Sequence, residues 1–169
     1  GIDHFALPGD SLAEAAREGR LKRNFQGYTT DDCTTLIGLG ASAPSGFDGG
    51  FIRTIVGPAQ RQVEVTEGRL PASRGCAKTD DDRLRGHVIE RLMCDFRFSF
   101  QDVQQRYGEA GRTLVKEARR LAAMEQHGLC RVEGDAFVIP ADARPFTRIV
   151  ASRFDAYLPD SMFRYSRAV

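Results

Sequence analysis

The first 50 residues alternate between short apolar runs and polar, turn-forming stretches. Residues 1–6 have the pattern of a strand that runs into a loop, and residues 11–21 are rich in Ala, Glu and Arg. Ser11 followed by Glu14 matches the capping box that begins many helices, so the second segment is predicted to be a helix that stops at Gly19. Residues 36–43, LIGLGASA, form an apolar run of small residues that favours a buried parallel strand. Strand, helix and strand in this order indicate an α/β sheet or barrel.

Glycine and proline recur throughout the next part of the chain, residues 44–74. Such residues punctuate turns and interrupt regular elements, so this part is predicted to connect two domains through short elements at most. For residues 51–56 the pattern fits a strand and the start of a helix equally well.

The second half of the chain has a helical period. Leu84, Val88, Leu92 and Phe96 are spaced four apart and form one apolar stripe. Glycines follow the later periodic segments, and two β-prone runs flank Gly134, which indicates a hairpin. The predicted elements are helices at 79–96, 99–107 and 112–127, a hairpin at 129–139 and a last helix at 141–158.

Three helices, a hairpin and a further helix are the order of a winged-helix-like domain. The predicted fold class is therefore α+β, with an incomplete tail of an α/β, partial TIM-like barrel before a mostly helical C-terminal domain. The predicted boundaries are 1–50 for the barrel piece, 51–74 for the connection and 75–169 for the helical domain. Two strands and one helix cannot cover a sheet, and the strand at 36–43 would expose apolar surface on both faces. We therefore expect the barrel piece to lack neighbours that it needs.

Charge and composition narrow the possible partners. The 169 residues carry a formal net charge of only +1, which gives no electrostatic case for nucleic acid or an anionic membrane. No apolar run approaches the roughly 18 to 20 residues that cross a bilayer, and no export signal is visible. We expect a monomeric, cytoplasmic protein without a membrane span. The first residue is Gly rather than Met, which fits a chain that begins within a longer protein and also fits removal of an initiator Met before Gly.

The four cysteines do not form a metal-binding pattern. Cys33, Cys76, Cys94 and Cys130 are far apart, with no C-x-x-C pair and no Cys/His cluster at zinc-ligand spacing. Reduced, buried or half-buried thiols are the expected state. The sequence therefore predicts no metal ligand in this chain.

Four stretches resemble the family of oxygen-independent coproporphyrinogen III oxidases, which are radical S-adenosylmethionine enzymes of haem biosynthesis. They occur in matching order across nearly the whole chain, and the string NFQGYTT is the most specific of them. These stretches are GIDHFALP (1–8), RNFQGYTT (23–30), GRLPASRG with RLMCDF (68–75 and 91–96) and RYSRAV (164–169).

The resemblance implies a partial barrel that binds a 4Fe-4S cluster through a C-x-x-x-C-x-x-C motif, with S-adenosylmethionine nearby. An electron from the cluster cleaves the cofactor, and a 5′-deoxyadenosyl radical takes a hydrogen from a propionate of coproporphyrinogen III. Loss of carbon dioxide leaves a vinyl group, and two such steps give protoporphyrinogen IX. In such enzymes the protein supplies position and environment for cofactor chemistry.

The chain contains no C-x-x-x-C-x-x-C motif, so none of its cysteines is carried over as a cluster ligand. In the family this motif lies in the N-terminal half of the barrel. We therefore expect this chain to be inactive without that missing half.

Two residues match family positions near the cofactor. Gln26 corresponds to the glutamine of the family's active-site loop, where its amide can hydrogen-bond a carboxylate or ribose, or can serve only to shape the loop. Pro44 stands where the family has an aliphatic residue that contacts S-adenosylmethionine. Proline keeps an apolar contact but removes a backbone N–H. No catalytic residue is assigned.

Other candidates depend on residue type alone. Asp3 and His4 could face a barrel mouth or fix a loop, and adjacent strand residues point to opposite faces. Arginine grips carboxylates through paired hydrogen bonds, and the substrate has four carboxylates. The candidate arginines, each of which could equally be a solvated surface residue, are Arg23, Arg53, Arg74, Arg164 and Arg167.

Two functions of other classes remain open. A winged-helix domain can bind DNA, but the helix at 112–127 carries Glu117 and Glu125 among its basic residues, and the hairpin carries Glu133 and Asp135, which phosphate repels. A haem- or porphyrin-binding module without catalysis is the other alternative.

Overall fold

The chain is a mixture of helices and antiparallel sheets, as the α+β class predicted. The computed structural model describes residues 5–158. Two compact units make up the chain. The helical unit comprises residues 1–30 and 81–169, and the sheet unit comprises residues 31–80. Within residues 5–158, no helix has the length and apolar character needed to cross a membrane.

The regular elements follow in chain order. The α-helices are α1 (Ser11–Arg17), α2 (Pro58–Thr66), α3 (Asp80–Asp95), α4 (Phe100–Met124) and α5 (Thr147–Ala151). The strands are β1 (Lys22–Asn24), β2 (Gly27–Thr29), β3 (Pro44–Phe47), β4 (Gly50–Thr54), β5 (Ala72–Ala77), β6 (Arg97–Ser99), β7 (Arg131–Glu133) and β8 (Ala136–Val138). The predicted boundaries at residues 50 and 74 group these elements differently from the two compact units, and they stay a prediction about family domains.

The core of the helical unit is built on a small antiparallel sheet. Its strand order is β6-β8-β7, and Phe98 pairs with Phe137 across it. The two rings stack with centroids 5.3 Å apart, and Phe154 meets both of them edge-on at 5.7 and 5.6 Å. Aromatic pairs in these geometries add to the free energy of apolar burial, so they hold the hairpin against the chain's C-terminal segment.

The apolar stripe predicted in the second half of the chain is confirmed on helix α3. Leu84, Val88 and Leu92 are fully buried in the main core of the helical unit. The helix ends at Asp95, and Phe96 follows it with a positive φ of 60°. Only glycine adopts this left-handed backbone without steric cost, so the phenylalanine is held there by its surroundings.

Helix α4 combines two predicted helices. Ser99 caps it, since its Oγ accepts the backbone N–H of Asp102 over 3.2 Å. Gly108 interrupts the helix with φ of 56° and ψ of −124°, so the predicted stop at this glycine is confirmed as a kink between two helical parts. The second part ends at Met124, three residues before the predicted end at 127.

The prediction of one helix over 141–158 is wrong. Residues Ala141–Phe146 and Ser152–Phe154 are 3-10 turns, and α5 between them has only five residues. Pro145 lies within the first turn, where it cannot donate the hydrogen bond of a continuous helix. Val150 and Phe154 of this segment are buried, whereas Phe146, Ile149 and Tyr157 are exposed.

The sheet unit has three antiparallel strands in the order β3-β4-β5, with α2 between the last two. Residues 51–56, for which strand and helix were both open, thus contribute most of β4. The segment 44–74 contains more regular structure than predicted. Within residues 31–80 only Ser45, Gly50 and Ile55 are buried, and every residue of β5 is exposed.

The predicted buried parallel strand at 36–43 is wrong. Leu36 makes an isolated antiparallel bridge to Gly46, and Ile37 and Leu39 are 69% and 89% exposed. The backbone turns at Gly40, with φ of 100°, which breaks an extended run. An apolar run alone does not form a strand, because a strand needs at least one hydrogen-bonded neighbour along its length.

Helix α1 begins with a different cap from the predicted one. Asp10 is the N-cap and its Oδ1 accepts the backbone N–H of Leu12 over 2.8 Å, so Ser11 is the first helical residue. The helix ends at Arg17 with Glu18 as its C-cap, and Gly19 follows with a φ of 66°, so the predicted stop at this glycine is confirmed. Four earlier candidates lie outside the described residues, namely Asp3, His4, Arg164 and Arg167.

Candidate functional site

Gln26 lies at the tip of the short hairpin formed by β1 and β2. Asn24 pairs with Gly27 at the end of the hairpin, and the Asn24 Oδ1 accepts the backbone N–H of Gln26 over 2.8 Å. This side-chain turn uses asparagine for a local hydrogen bond, and Gly27 supplies a φ of 135°. The Gln26 side chain is exposed, so its amide is available to a ligand at the tip.

Helix α3 anchors this hairpin through polar contacts. The Tyr28 hydroxyl donates to the Met93 carbonyl over 2.9 Å. The Arg91 guanidinium donates to the Leu21 carbonyl over 2.9 Å and pairs with Asp95 over 2.7 Å. These contacts join both ends of the hairpin to the last turns of one helix.

A small apolar cluster lies beneath the same contacts. Ala15, Leu21 and Cys94 are buried together, with Leu12 and Tyr28 packed against them. Apolar burial on one side and charged hydrogen bonds on the other restrict how the hairpin can move. The position of Gln26 therefore depends on α1 and α3 as well as on its own strands.

The charges around the hairpin are mostly compensated. Glu90 accepts the backbone N–H of Arg23 over 3.2 Å and lies 3.9 Å from the Lys22 ammonium. Burial raises the pKa of the Asp95 carboxyl above its ordinary value, although Arg91 acts in the opposite direction. Arg23, a candidate for substrate carboxylates, also lies 5.8 Å from the centre of the Tyr28 ring. These contacts give Arg23 a local structural role in the hairpin.

Pro44 is the first residue of β3 in the sheet unit. It pairs with Arg53 of β4 and is half-buried. A Cβ atom on Gly38 would come within 2.3 Å of the Pro44 carbonyl oxygen, so the loop approaches this strand too closely for any side chain at Gly38. The buried Ser45 Oγ accepts the Gly38 N–H over 3.0 Å and fixes the same approach. Gln26 and Pro44 belong to different compact units.

The cysteines do not fit an iron–sulfur cluster. Cluster ligation needs thiolates. Burial raises the pKa of Cys94 to about 12 and that of Cys130 to about 11, so both remain protonated thiols. Cys33 and Cys76 are exposed, and the hydrogen bond from Cys33 to Asp31 raises the pKa of Cys33 as well. Across residues 5–158 there is no group of three or more His, Cys, Asp or Glu side chains placed to hold a metal.

A shallow apolar cleft of about 330 Å³ lies on the sheet unit. Phe47, Phe51, Ile52 and Cys76 line it together with backbone of neighbouring glycines. Neither Gln26 nor Pro44 lines this cleft. Two of the residues that anchor the hairpin, Arg91 and Tyr28, had no assigned role in the sequence analysis. The spacing of Arg91 and Asp95, four apart on a predicted helix, was the available signal.

Comparison with known proteins matches this architecture. Residues 79–146 match the HemN C-terminal domain family. The chain is 45% identical to an oxygen-independent coproporphyrinogen III oxidase of Cereibacter sphaeroides, over 99% of this chain and 37% of that protein. It is 41% identical to the protein of the same name from Bradyrhizobium diazoefficiens, over 100% of this chain and 38% of that protein.

A solved structure gives the same result in three dimensions. The coproporphyrinogen III oxidase HemN from Escherichia coli, described as a radical SAM enzyme, superposes with a TM-score of 0.85 at 37% identity. The match covers 94% of this chain and 37% of that one. The chain thus spans a little over a third of the length of the curated relatives that it matches. Over nearly its whole length the chain is therefore similar to the part of the oxygen-independent coproporphyrinogen III oxidases that contains the HemN C-terminal domain.

Proposed function

We propose that this chain serves as the C-terminal part of an enzyme that converts two propionates of coproporphyrinogen III to vinyl groups, giving protoporphyrinogen IX. The observation that carries the proposal is the end-to-end match to relatives of that name, at 45% identity over 99% of the chain. The active protein would be a monomeric, cytoplasmic oxidoreductase of haem biosynthesis.

The exposed apolar surface of the sheet unit supports a larger fold around it. Leu39 and Leu70 are each 89% exposed, and only three residues of this unit are buried. A unit of this size with so small a core gains little from burial, so further barrel strands packed against it would add to its stability. We infer that residues 31–80 complete a partial barrel with the cluster-bearing part that the relatives contain, and that the helical unit is the winged-helix-like domain.

Gln26 and Pro44 are the residues that we propose to contact S-adenosylmethionine. The exposed amide of Gln26 can donate to a carboxylate or accept from a ribose hydroxyl, and the fixed hairpin holds it in position. Pro44 can offer an apolar ring surface. When bound, S-adenosylmethionine would supply the radical chemistry, and these residues would supply only its position.

The 4Fe-4S cluster does not fit this chain. The sequence has no C-x-x-x-C-x-x-C motif, and the two buried thiols stay protonated. The chain by itself should therefore neither bind a cluster nor turn over coproporphyrinogen III.

A chimera tests the proposal. The C-terminal 37% of the Cereibacter sphaeroides relative is replaced by this chain, and protoporphyrinogen IX formation is measured without oxygen after cluster reconstitution. We expect turnover by the chimera and none by either part alone. In the chimera, Gln26→Ala should raise the KM for S-adenosylmethionine relative to the unsubstituted chimera, while the cluster content stays unchanged.

Each alternative function has its own outcome. A chimera that folds and holds a cluster but forms no product, while this chain binds porphyrin, would support a non-catalytic porphyrin module. A salt-dependent gel shift with random duplex DNA would support the winged-helix alternative. Arginines of α4 and the hairpin argue against DNA, since Arg112 pairs with Glu109 and Arg131 pairs with Glu133.

A further inference from the structure

Two arginines lie directly opposite each other on the sheet unit. Arg53 of β4 pairs with Arg74 of β5 in the antiparallel register, and both are exposed. Directly opposite residues have Cβ atoms about 4.5–5.5 Å apart on one face of a sheet, and like charges in that arrangement are destabilising. The register therefore places two like charges on neighbouring strands of one face, an arrangement that an anion bound there would stabilise.

The sheet itself offers no such anion. Strands β3, β4 and β5, all fully described, contain no Asp or Glu. The Arg53 Nε lies 3.4 Å from the Ser42 carbonyl oxygen, and its Nη2 contacts the Ser42 hydroxyl. This neutral contact holds the Arg53 side chain beside the strand without neutralising its charge. Two guanidinium groups on neighbouring strands can bind carboxylates through paired hydrogen bonds.

Apolar surface adjoins the two arginines on the same face. Phe51 pairs with Cys76 two residues along each strand, so the alternation of side chains places them beside Arg53 and Arg74. Both residues line the cleft of about 330 Å³. The Lys78 ammonium lies 4.3 Å from the centre of the Phe51 ring and donates to the Phe47 carbonyl over 2.9 Å. Cations thus flank an apolar cleft at both ends of this face.

We propose that Arg53 and Arg74 form a carboxylate-binding site for the propionate groups of a porphyrin-type ligand, with the Phe51–Cys76 cleft against an apolar part of the same molecule. The proposal rests on the proposed function for the choice of ligand. A ligand with several carboxylates on an apolar ring system matches separated cations around an apolar surface.

Binding of coproporphyrin III to the 169-residue chain tests the site without any catalytic step. Fluorescence titration should give a dissociation constant that rises roughly tenfold in Arg53→Gln and in Arg74→Gln, since each removes one charged hydrogen-bonding partner. Lysine at both positions should recover only part of the affinity, because it keeps the charge but loses the planar fork. The tetramethyl ester of coproporphyrin III should bind the native chain no more tightly than it binds the double glutamine variant.

Arg69→Gln is the matched control. Arg69 is an exposed arginine of the same unit, but it is already paired with Glu64 and Glu67. Its loss should leave coproporphyrin affinity within about twofold of the native chain. Circular dichroism and thermal melting confirm that each variant is folded before it is titrated.

Three results would overturn the site. They are equal affinity of the native chain and the double glutamine variant, an equal loss in Arg69→Gln, and equal binding of acid and ester. The chimera assay of turnover is separate from these measurements. If the chimera is active and the arginine variants bind normally, the site fails while the proposed function stands. If coproporphyrin binding depends on the carboxylates and the arginines while the chimera is inactive, the site stands and the proposed function fails.

Discussion

The hydroxyl of Tyr28 donates a hydrogen bond to the backbone carbonyl of Met93 over 2.9 Å, across 65 positions of the chain. Met93 lies two residues before the end of α3 at Asp95, so its carbonyl is among the last four of that helix. These carbonyls lack partners within the helix. The Tyr28 hydroxyl therefore satisfies one of them and ties the β1–β2 hairpin that bears Gln26 to α3.

Replacing Tyr28 by Phe should remove this bond and keep the ring in the apolar cluster. The expected loss is about 0.5–1.5 kcal/mol in the free energy of unfolding, measured by urea denaturation. An unchanged midpoint with an unchanged slope would mean that the carbonyl finds water instead.

Arg91 should control the mobility of the hairpin more than an equivalent arginine elsewhere on α3. Arg85 is the control, because its side chain is 21% exposed against 16% for Arg91, and it also pairs with an acid and a backbone carbonyl, those of Asp81 and Phe154. Arg91→Gln should accelerate amide hydrogen exchange in residues 22–29, whereas Arg85→Gln should not. Similar acceleration by both variants would show general loosening of the helix.

Two glycines should respond to alanine in opposite directions. Gly86 lies on an exposed face of α3 with open space for a Cβ, so Gly86→Ala should stabilise the chain by about 0.5–1 kcal/mol. At Gly111 a Cβ would come within 2.3 Å of the Val103 carbonyl oxygen. Gly111→Ala should therefore cost about 1–3 kcal/mol by forcing apart the two parts of α4. Thermal denaturation of the pair checks both signs.

The backbone at Phe96 should prefer glycine over alanine. Its φ is 60°, and its ring lies 4.4 Å from the Arg144 guanidinium. Both substitutions lose the ring, so their difference reports the backbone alone. Phe96→Gly should be more stable than Phe96→Ala by about 1 kcal/mol, the reverse of the order within a helix. The opposite order in chemical denaturation would mean that the backbone relaxes out of this region.

His87 should make the helical unit sensitive to acid. Burial lowers the pKa of His87 below its ordinary value of about 6.5, with Arg106 and Arg91 acting in the same direction and Asp102 and Glu90 opposing them. The Asp102 Oδ2 lies 3.6 Å from the His87 Nε2, and Nδ1 is buried without a hydrogen-bond partner among the described residues.

The direction of the pH effect follows from that lowered pKa. The folded state favours the neutral imidazole of His87. The stability that His87 contributes is therefore complete above pH 6.5, and it is lost as the pH falls through the pKa of the folded state. Stability should decline as the pH falls below about 6.5 in the native chain, and less steeply in His87→Gln. The difference between the two chains is the relevant measure, because the raised pKa of Asp95 acts in the opposite direction at lower pH. Parallel curves would exclude His87 as the cause.

The sequence alone determined the helical unit in large part. The four-residue spacing of Leu84, Val88 and Leu92 predicted a buried helical face, and Gly108 and Gly134 marked a break and a hairpin turn. These signals are local, since each depends on the period of one segment or the backbone freedom of one residue. The string NFQGYTT marked the segment that bears Gln26 through its resemblance to the family, but the β1–β2 hairpin that this segment forms was not predicted.

Tertiary structure decided the rest, because the deciding contacts join residues far apart in sequence. The apolar run at 36–43 has strand-like composition, but no strand forms over it, and its Ile37 and Leu39 side chains stay exposed. The helix predicted after residue 140 is broken at Pro145 and shortened as Phe154 packs into the aromatic core. The Arg53–Arg74 pair exists only through the register of β4 with β5, and Tyr28 meets Met93 only because the hairpin folds onto α3. Periodicity fixes which face of an element is apolar, whereas the partner of that face depends on contacts that no single segment encodes.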